Sequence, residues 1–563
     1  MTRPTPTGTS GPTRRLAVVA ALSVLLLGGA GAAPAFADTP SSGGDIQVAQ
    51  TLGARELTVV LRRVTGVPGP LHVEVITHTG TANGRIGVAV TPTGPGTSGS
   101  SLPASGAPTQ QDSVDLGTTP GSYSATLRVD RAGPWELSLD DGQRVARIPF
   151  VVAVQPTSPP EAAAYGGFLA AGLLLLATIV VAARARRGGW VLLPAAGLVA
   201  ALSVAVTGAV LSTALPLPPQ PGTQIDPTVD NITHPYQLIQ PLVADFSRPP
   251  AGLAVVGPAP AAGQAADIDL TVFDSSTGLP VDDLIVHDAA LIHLLVISPS
   301  GQLWHLHPIR IAPGRYQLHV TLPETGHYAV SAELERRGGG VQTVRSAGGI
   351  DVTATRAAGA PAPALSPVDL DGVRTGSISL DGNPVSVTAT AAAAGSATTI
   401  TAHVGAAGDL QPWLGMVGHM IVAGPLPGRA TSDVGVAVQN APVWAHAHSM
   451  GAMPSDMSTS GSAGTGMSSS TGGGMGSGMG GGMGSGGGNG GRSGMGSMSA
   501  LMPINGDSAP DETVAGYGPD VPFTYTFPTP GRYRIWIQVE RAYTVLTVPA
   551  VLDIPAPSPV AAP

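Results

Sequence analysis

Cysteine is absent from the 563 residues, and lysine is absent too: all 27 basic residues are arginine. Without thiols there is no disulfide framework, no thiolate metal centre and no cysteine nucleophile. Blue-copper electron-transfer sites and multicopper oxidases need a cysteine thiolate, so both are excluded. Charge is scarce at 11%, aromatics at 4%, and a formal charge of −9 leaves no basic footprint for nucleic acid. The chain has instead 77 glycines and 54 prolines, and enough length for about three or four domains.

Long apolar runs occur in two places. Near the start, Arg14 and Arg15 precede "LAVVAALSVLLLGGAGAA", and Ala35-Phe36-Ala37 offers a small-x-small cleavage site, so residues 1–37 read as an export signal. "TRR" hints at twin-arginine export, although the residues after it match that signal poorly. Further on, "YGGFLAAGLLLLATIVVAA" (165–183) and the uncharged stretch 190–215 are each long enough to span a bilayer. The arginine-rich loop 184–189 between them predicts a cytoplasmic turn, with both flanking portions outside. Neither run contains an ionisable side chain, so the hairpin reads as an anchor in the lipid bilayer and not as an ion path.

The remainder reads as strands between Gly/Pro turns. The expected class is mainly β with two transmembrane helices. It comprises three extracytoplasmic immunoglobulin- or cupredoxin-like sandwiches, at 38–160, 251–353 and 368–555, separated by linkers at 216–250 and 354–367. Each block ends in a shared pattern, Gly-x-aromatic at the start of an alternating strand: Trp135, Tyr328 and Tyr533. Blocks two and three agree further, "LIHLLVI" before "LWHLHP" matching "MVGHMIV" before "VWAHAH", and read as duplicates. The third is interrupted at 449–512 by a Met/Gly/Ser-rich stretch expected to be disordered, with "NGDSAPDE" (505–512) as a polar loop. The longer loop costs only about 2 kcal/mol of closure entropy, which a sandwich tolerates.

Histidines two residues apart on a strand share a face. If the strand of His293 pairs in step with that of His305 and His307, three imidazoles meet on one side; His419, His446 and His448 repeat the arrangement. Imidazole suits copper and zinc, and thioether sulfur prefers Cu(I). Apart from Met1, all the methionines lie between 416 and 502; Met416, Met420, Met450, Met453 and Met457 stand nearest the second histidine set. Copper is therefore the expected ion, with zinc second. His287 is an outlying candidate, whereas His72, His78, His234, His319, His327 and His403 show no partner pattern. Trp304, Trp444 and Trp536 read as core anchors.

"LIHLLVISPSGQLWHLHP…GRYQLHVTLPETGHYAV" resembles a bacterial family of exported or membrane-anchored repeat proteins, with immunoglobulin- or cupredoxin-like sandwiches. The likeness spans about 250–350 and 410–550, and implies an association with copper handling but no defined activity. "VWAHAHS" departs from the pattern in lacking the proline after its second histidine. The functional expectation is a non-enzymatic, membrane-anchored copper-binding protein that buffers, scavenges or passes copper outside the membrane, with another copper-handling envelope protein as its expected partner. Two alternatives stand beside it: an envelope scaffold or adhesion protein, and a zinc hydrolase or hydratase using a three-histidine site.

Overall fold

The computed structural model describes residues 45–93, 108–152, 158–214, 248–355, 365–449 and 511–558, apart from 63, 65, 337–338, 372–373, 381, 391–392 and 429–432. The expected export signal, nearly all of the 216–250 linker and most of the Met/Gly/Ser-rich stretch lie outside these residues. The described chain is mainly β-sheet, with two long helices.

In the first β-unit, strands Ile46–Leu52, Arg55–Leu61, Gly69–Thr77 and Gly121–Val129 form one sheet. Gly84–Pro92, Gln110–Leu116, Gly133–Asp140 and Val145–Val152 form another. Alternation sets their inward faces: in Gly121–Val129, Ala125, Leu127 and Val129 are buried while Ser124, Thr126 and Arg128 are exposed. A single core joins the two sheets, Val59, Val73 and Val75 meeting Val88, Leu137, Ile148 and Trp135.

The second and third units are each a four-stranded sheet facing a six-stranded one across a common core. In the six-stranded sheet of the second unit, His293–Ile297 lies between Leu303–Leu306 and Gly326–Arg336. In that of the third, Gly418–Leu426 lies between Val443–Ser449 and Gly531–Arg541. These central strands do not alternate: "HLLVI" and "GHMIVAG" are buried throughout. The reason is that the outer faces of the two sheets stack on each other. Leu295, Ile297, Leu303 and Ala329 from one meet Ile421, Ala423 and Trp536 from the other, with Val434 and Val438 of the short helix Val434–Gln439 beside them. Burying both faces of a sheet produces such continuous apolar runs.

The recurring Gly-x-aromatic pattern has a structural counterpart. Gly133, Gly326 and Gly531 all have φ between 116° and 135°, a region open to glycine, and each starts a strand. Two residues on, Trp135 Nε1, Tyr328 Oη and Tyr533 Oη donate to the carbonyls of Arg131, Glu324 and Thr529, in each case four residues upstream. Three copies of one corner fasten the same edge of three units.

Helix Pro159–Arg184 opens with a capping box, Ser158 accepting from the Glu161 amide while Glu161 reaches back to the Ser158 amide. A short turn at Gly188–Val191 leads to the second helix, Leu192–Ala214. Gly167 lets them approach closely: a Cβ there would lie 2.7 Å from Ala205 N. Mean hydropathies of 2.3 and 2.1 make both long and apolar enough to cross a membrane, and Leu169, Leu173, Leu176 and Leu193 point outward.

Candidate metal centre

The strand register puts the histidines in step. Leu295 opposes His305 and Val296 opposes Trp304, so His293, His305 and His307 share a face. In the third unit His419 opposes His448 and Ile421 opposes His446, which aligns the second set likewise. Both sets lie on the outer faces, where the six-stranded sheets stack. The consequence was not legible in either repeat alone: the two triads meet. The ring of His305 is 5.0 Å from that of His446 and 5.6 Å from that of His419, and His293 is 5.4 Å from His446.

Ligand atoms of His293, His305 and His446 lie within 4.8 Å of one another, as do those of His419, His446 and His448. The first group thus takes His446, from the other unit, in the place expected for His307. His307 instead donates from Nδ1 toward Glu56 of the first unit, with its backbone amide on Thr51 Oγ1 at 2.8 Å. Trp413 stacks edgewise on His305, His307 and His419 and closes the cluster on one side.

The protons of these rings can be assigned from their neighbours. A carbonyl oxygen only accepts, so His293 donates from Nε2 to His287 O at 3.0 Å, and its Nδ1 is a lone pair in the neutral ring. His305 presents Nδ1 to Gln538 Oε1 at 2.9 Å, the amide being oriented by donation from Nε2 to Thr547 Oγ1. That leaves His305 Nε2 as a lone pair facing His293 Nδ1 at 3.0 Å. His419 likewise donates from Nε2 to Trp413 O at 3.0 Å, leaving its Nδ1 as a lone pair 3.2 Å from His446 Nε2, whose proton no neighbour fixes. Facing lone pairs require a cation between them, either a proton or a metal ion.

A proton is disfavoured there. Burial, and then the other histidines, hold His293, His305 and His419 well below the usual imidazole value, and the same causes lower His448 to about 4. Two imidazole nitrogens bound to one ion at about 2.0–2.1 Å, at near-tetrahedral angles, stand roughly 3.3 Å apart. The separations of 3.0 and 3.2 Å are close to that value. The carbonyl and amide partners on the far nitrogens are the outer contacts that orient ligating histidines.

The methionines fare differently. Met420 alternates to the opposite face from His419 and packs in the third unit's own core, away from the rings. Met416 is buried in the turn before the strand, its backbone paired with that of Trp413. Met450, Met453 and Met457 lie outside the described residues.

Residues that no histidine pattern signalled complete the surroundings: Glu56, Asp288, Glu333, Trp413 and Gln538. The lone sequence cue was the unalternating strands, which announce a second buried face. Glu512, expected in a polar loop, is fully buried, and its carboxylate accepts from the Leu414 amide at 2.8 Å. Ser449 likewise belongs to a strand. The unpatterned histidines are paired: His78 with Glu540, His319 with Asp267, His327 with Asp351 and His403 with Asp520. His72 meets Thr126. His234 lies outside the described residues.

A family described as a domain of unknown function, DUF8832, matches residues 508–556, the last strands of the third unit. No curated protein matches the chain. Among solved structures, it is similar to a tetra-tandem repeat from the extending region of a large adhesion protein. Identity is 10%, coverage 91% of this chain and 83% of that one, and TM-score 0.13. It is also similar to invasin, a bacterial integrin-binding protein, at 9% identity and TM-score 0.12, covering 88% of this chain and 58% of that one. This chain therefore spans somewhat over half the length of the invasin structure. A putative membrane-anchored protein from Corynebacterium diphtheriae matches at 8% identity and TM-score 0.13, covering 92% and 98%.

Proposed function

We propose that this chain is a membrane-anchored, extracytoplasmic copper-binding protein whose ion is held between the second and third β-units. Those units are read as immunoglobulin- or cupredoxin-like sandwiches, and the hairpin 159–214 as the anchor. The carrying observation is the facing imidazole lone pairs of His293 Nδ1 and His305 Nε2, with the lone pair of His419 Nδ1 turned to His446 Nε2 in the repeat. His293, His305, His419, His446 and His448 would hold the ion, with His307 adjacent. A donor set of neutral imidazoles without thiolate fits copper first and zinc second, copper standing highest among the divalent ions at such sites. Bound copper supplies redox-active Lewis acidity; the protein supplies neutral ligands and a dry enclosure.

Buffering or transfer suits this enclosure better than hydrolysis. A zinc hydratase keeps an open position that substrate reaches, whereas His293 and His419 are 0% exposed and Trp413 covers the rings. A second reading is a non-enzymatic envelope scaffold; adhesion protein and invasin stand among the neighbours' printed titles. At their TM-scores the likeness decides neither reading.

Metal-free full-length protein in detergent, titrated with Cu(I), Cu(II) and Zn(II) and analysed by elemental mass spectrometry, separates the readings. Copper retained in stoichiometric amount, and lost when the six histidines become glutamine, is the expected result. Wild-type protein that retains no copper sinks the copper reading and leaves the scaffold.

A further inference from the structure

Beside the histidine cluster lies a set of donors that belongs to neither triad. His287 Nε2, Asp288 Oδ2 and Glu333 Oε1 converge within 4.8 Å of one another. Asp288 and Glu333 are 4% and 6% exposed. Asp288 Oδ2 is 2.9 Å from His287 Nε2 and 3.3 Å from His448 Nδ1; Glu333 Oε1 is 3.7 Å from His287 Nε2 and 3.3 Å from His446 Nδ1. Despite these short approaches, Asp288 Oδ2, Glu333 Oε1, His446 Nδ1 and His448 Nδ1 are all buried without a hydrogen-bond partner. Orphaned polar atoms are costly in a protein interior. Two of these orphans, Asp288 Oδ2 and Glu333 Oε1, belong to the converging set, as the ligands of a cation would.

The geometry points to a second cation site of mixed donors, with His287 Nε2, Asp288 Oδ2 and Glu333 Oε1 binding a divalent ion of zinc-like character. The far nitrogen of His287 faces Glu335 Oε2 at 3.3 Å, an acceptor that holds its proton on Nδ1 and frees Nε2 for the ion. One imidazole with two carboxylates makes a harder set than imidazole alone, which selects Zn(II) over Cu(I). All three donors come from the second unit, with His446 and His448 of the third unit beside them, so the ion would sit at the seam next to the histidine cluster. The site does not rest on the copper reading: His287, Asp288 and Glu333 lie outside the six histidines.

The test uses full-length protein in detergent, the variants His287→Ala and Asp288→Asn, and Zn(II) as the probe in equilibrium dialysis. The expected result is one Zn(II) fewer per chain in either variant, with Cu(I) uptake unchanged. A zinc count equal to wild type overturns the site and leaves an imidazolium–carboxylate ion pair only. Failure of copper uptake alone strikes the histidine reading and leaves this one standing. Should a variant not fold, zinc-edge absorption on the wild type decides. Oxygen donors at about 2.0–2.2 Å beside nitrogen support the site, and a shell of imidazole alone overturns it.

Discussion

Raising the pH should loosen the first β-unit from the third. His78 is buried between them, its Nδ1 donating to Glu540 Oε1 at 2.7 Å and its Nε2 3.4 Å from Thr58 Oγ1. Burial alone would lower its pKa, but the hydrogen bond and charge of Glu540 outweigh it and raise the pKa from 6.5 to about 9. A histidine held above its unfolded value contributes stability that is fully present below pH 6.5 and is lost as pH rises through 9. That span converts to about 3 kcal/mol, or roughly two orders of magnitude in an opening equilibrium. Glu512 acts in the same direction. Burial pushes its carboxyl from 4.5 up to about 7, so its contribution declines as pH rises from 4.5 to 7. The Thr79 amide, bonded across the junction to Tyr543 O at 2.7 Å, is the reporter. Its hydrogen-exchange protection, corrected for intrinsic chemistry, should fall about a hundredfold between pH 6.5 and 9.5, and His78→Gln should flatten the fall. Protection that stays level over this range, or a His78 resonance titrating near 6.5, refutes the reasoning.

Three further outcomes are expected. Trp536→Ala removes a fully buried indole that donates to Gly301 O at 2.9 Å across the second seam, and should cost about 3–5 kcal/mol in chemical denaturation. Arg310→Ala strips a buried guanidinium from Glu136 of the first unit and Asp282 of the second. It should cost about 3–5 kcal/mol, and Glu136→Gln in the same chain should recover part of the loss. Arg186→Cys places a thiol in the turn between the helices of a chain with no other; in inverted vesicles it should react with an impermeant maleimide, and in intact cells it should not.

The histidine parity was legible because strand alternation is arithmetic: with "SPSG" as the turn, the hairpin register follows, and the structure puts His293, His305 and His307 on one face. The Gly-x-aromatic repeats were legible for a similar reason, since a backbone corner needing positive φ leaves glycine as its mark. The meeting of the two triads was not, because it depends on which faces of two separate sheets choose each other, and that choice lies in distributed residues such as Leu303, Ile421 and Trp536. Met420 shows the converse limit. Proximity to His419 in sequence suggested a shared site, yet adjacent residues of a strand point to opposite faces, so alternation already argued against it. Asp288 was hidden because its role comes from a turn with φ of 45°, to which no neighbouring motif drew notice.

The first unit precedes the helical hairpin and the second follows it, yet the two are bonded to each other: Thr51 N to His307 O at 2.7 Å, and Arg144 to Asp267. Such a handshake is open only to partners on one side of a bilayer, so under the proposed anchoring the intervening segment enters and returns, an even number of crossings. It also sets an order of assembly. The first unit finishes synthesis with its docking surface bare and waits until the hairpin has turned back and delivered its mate.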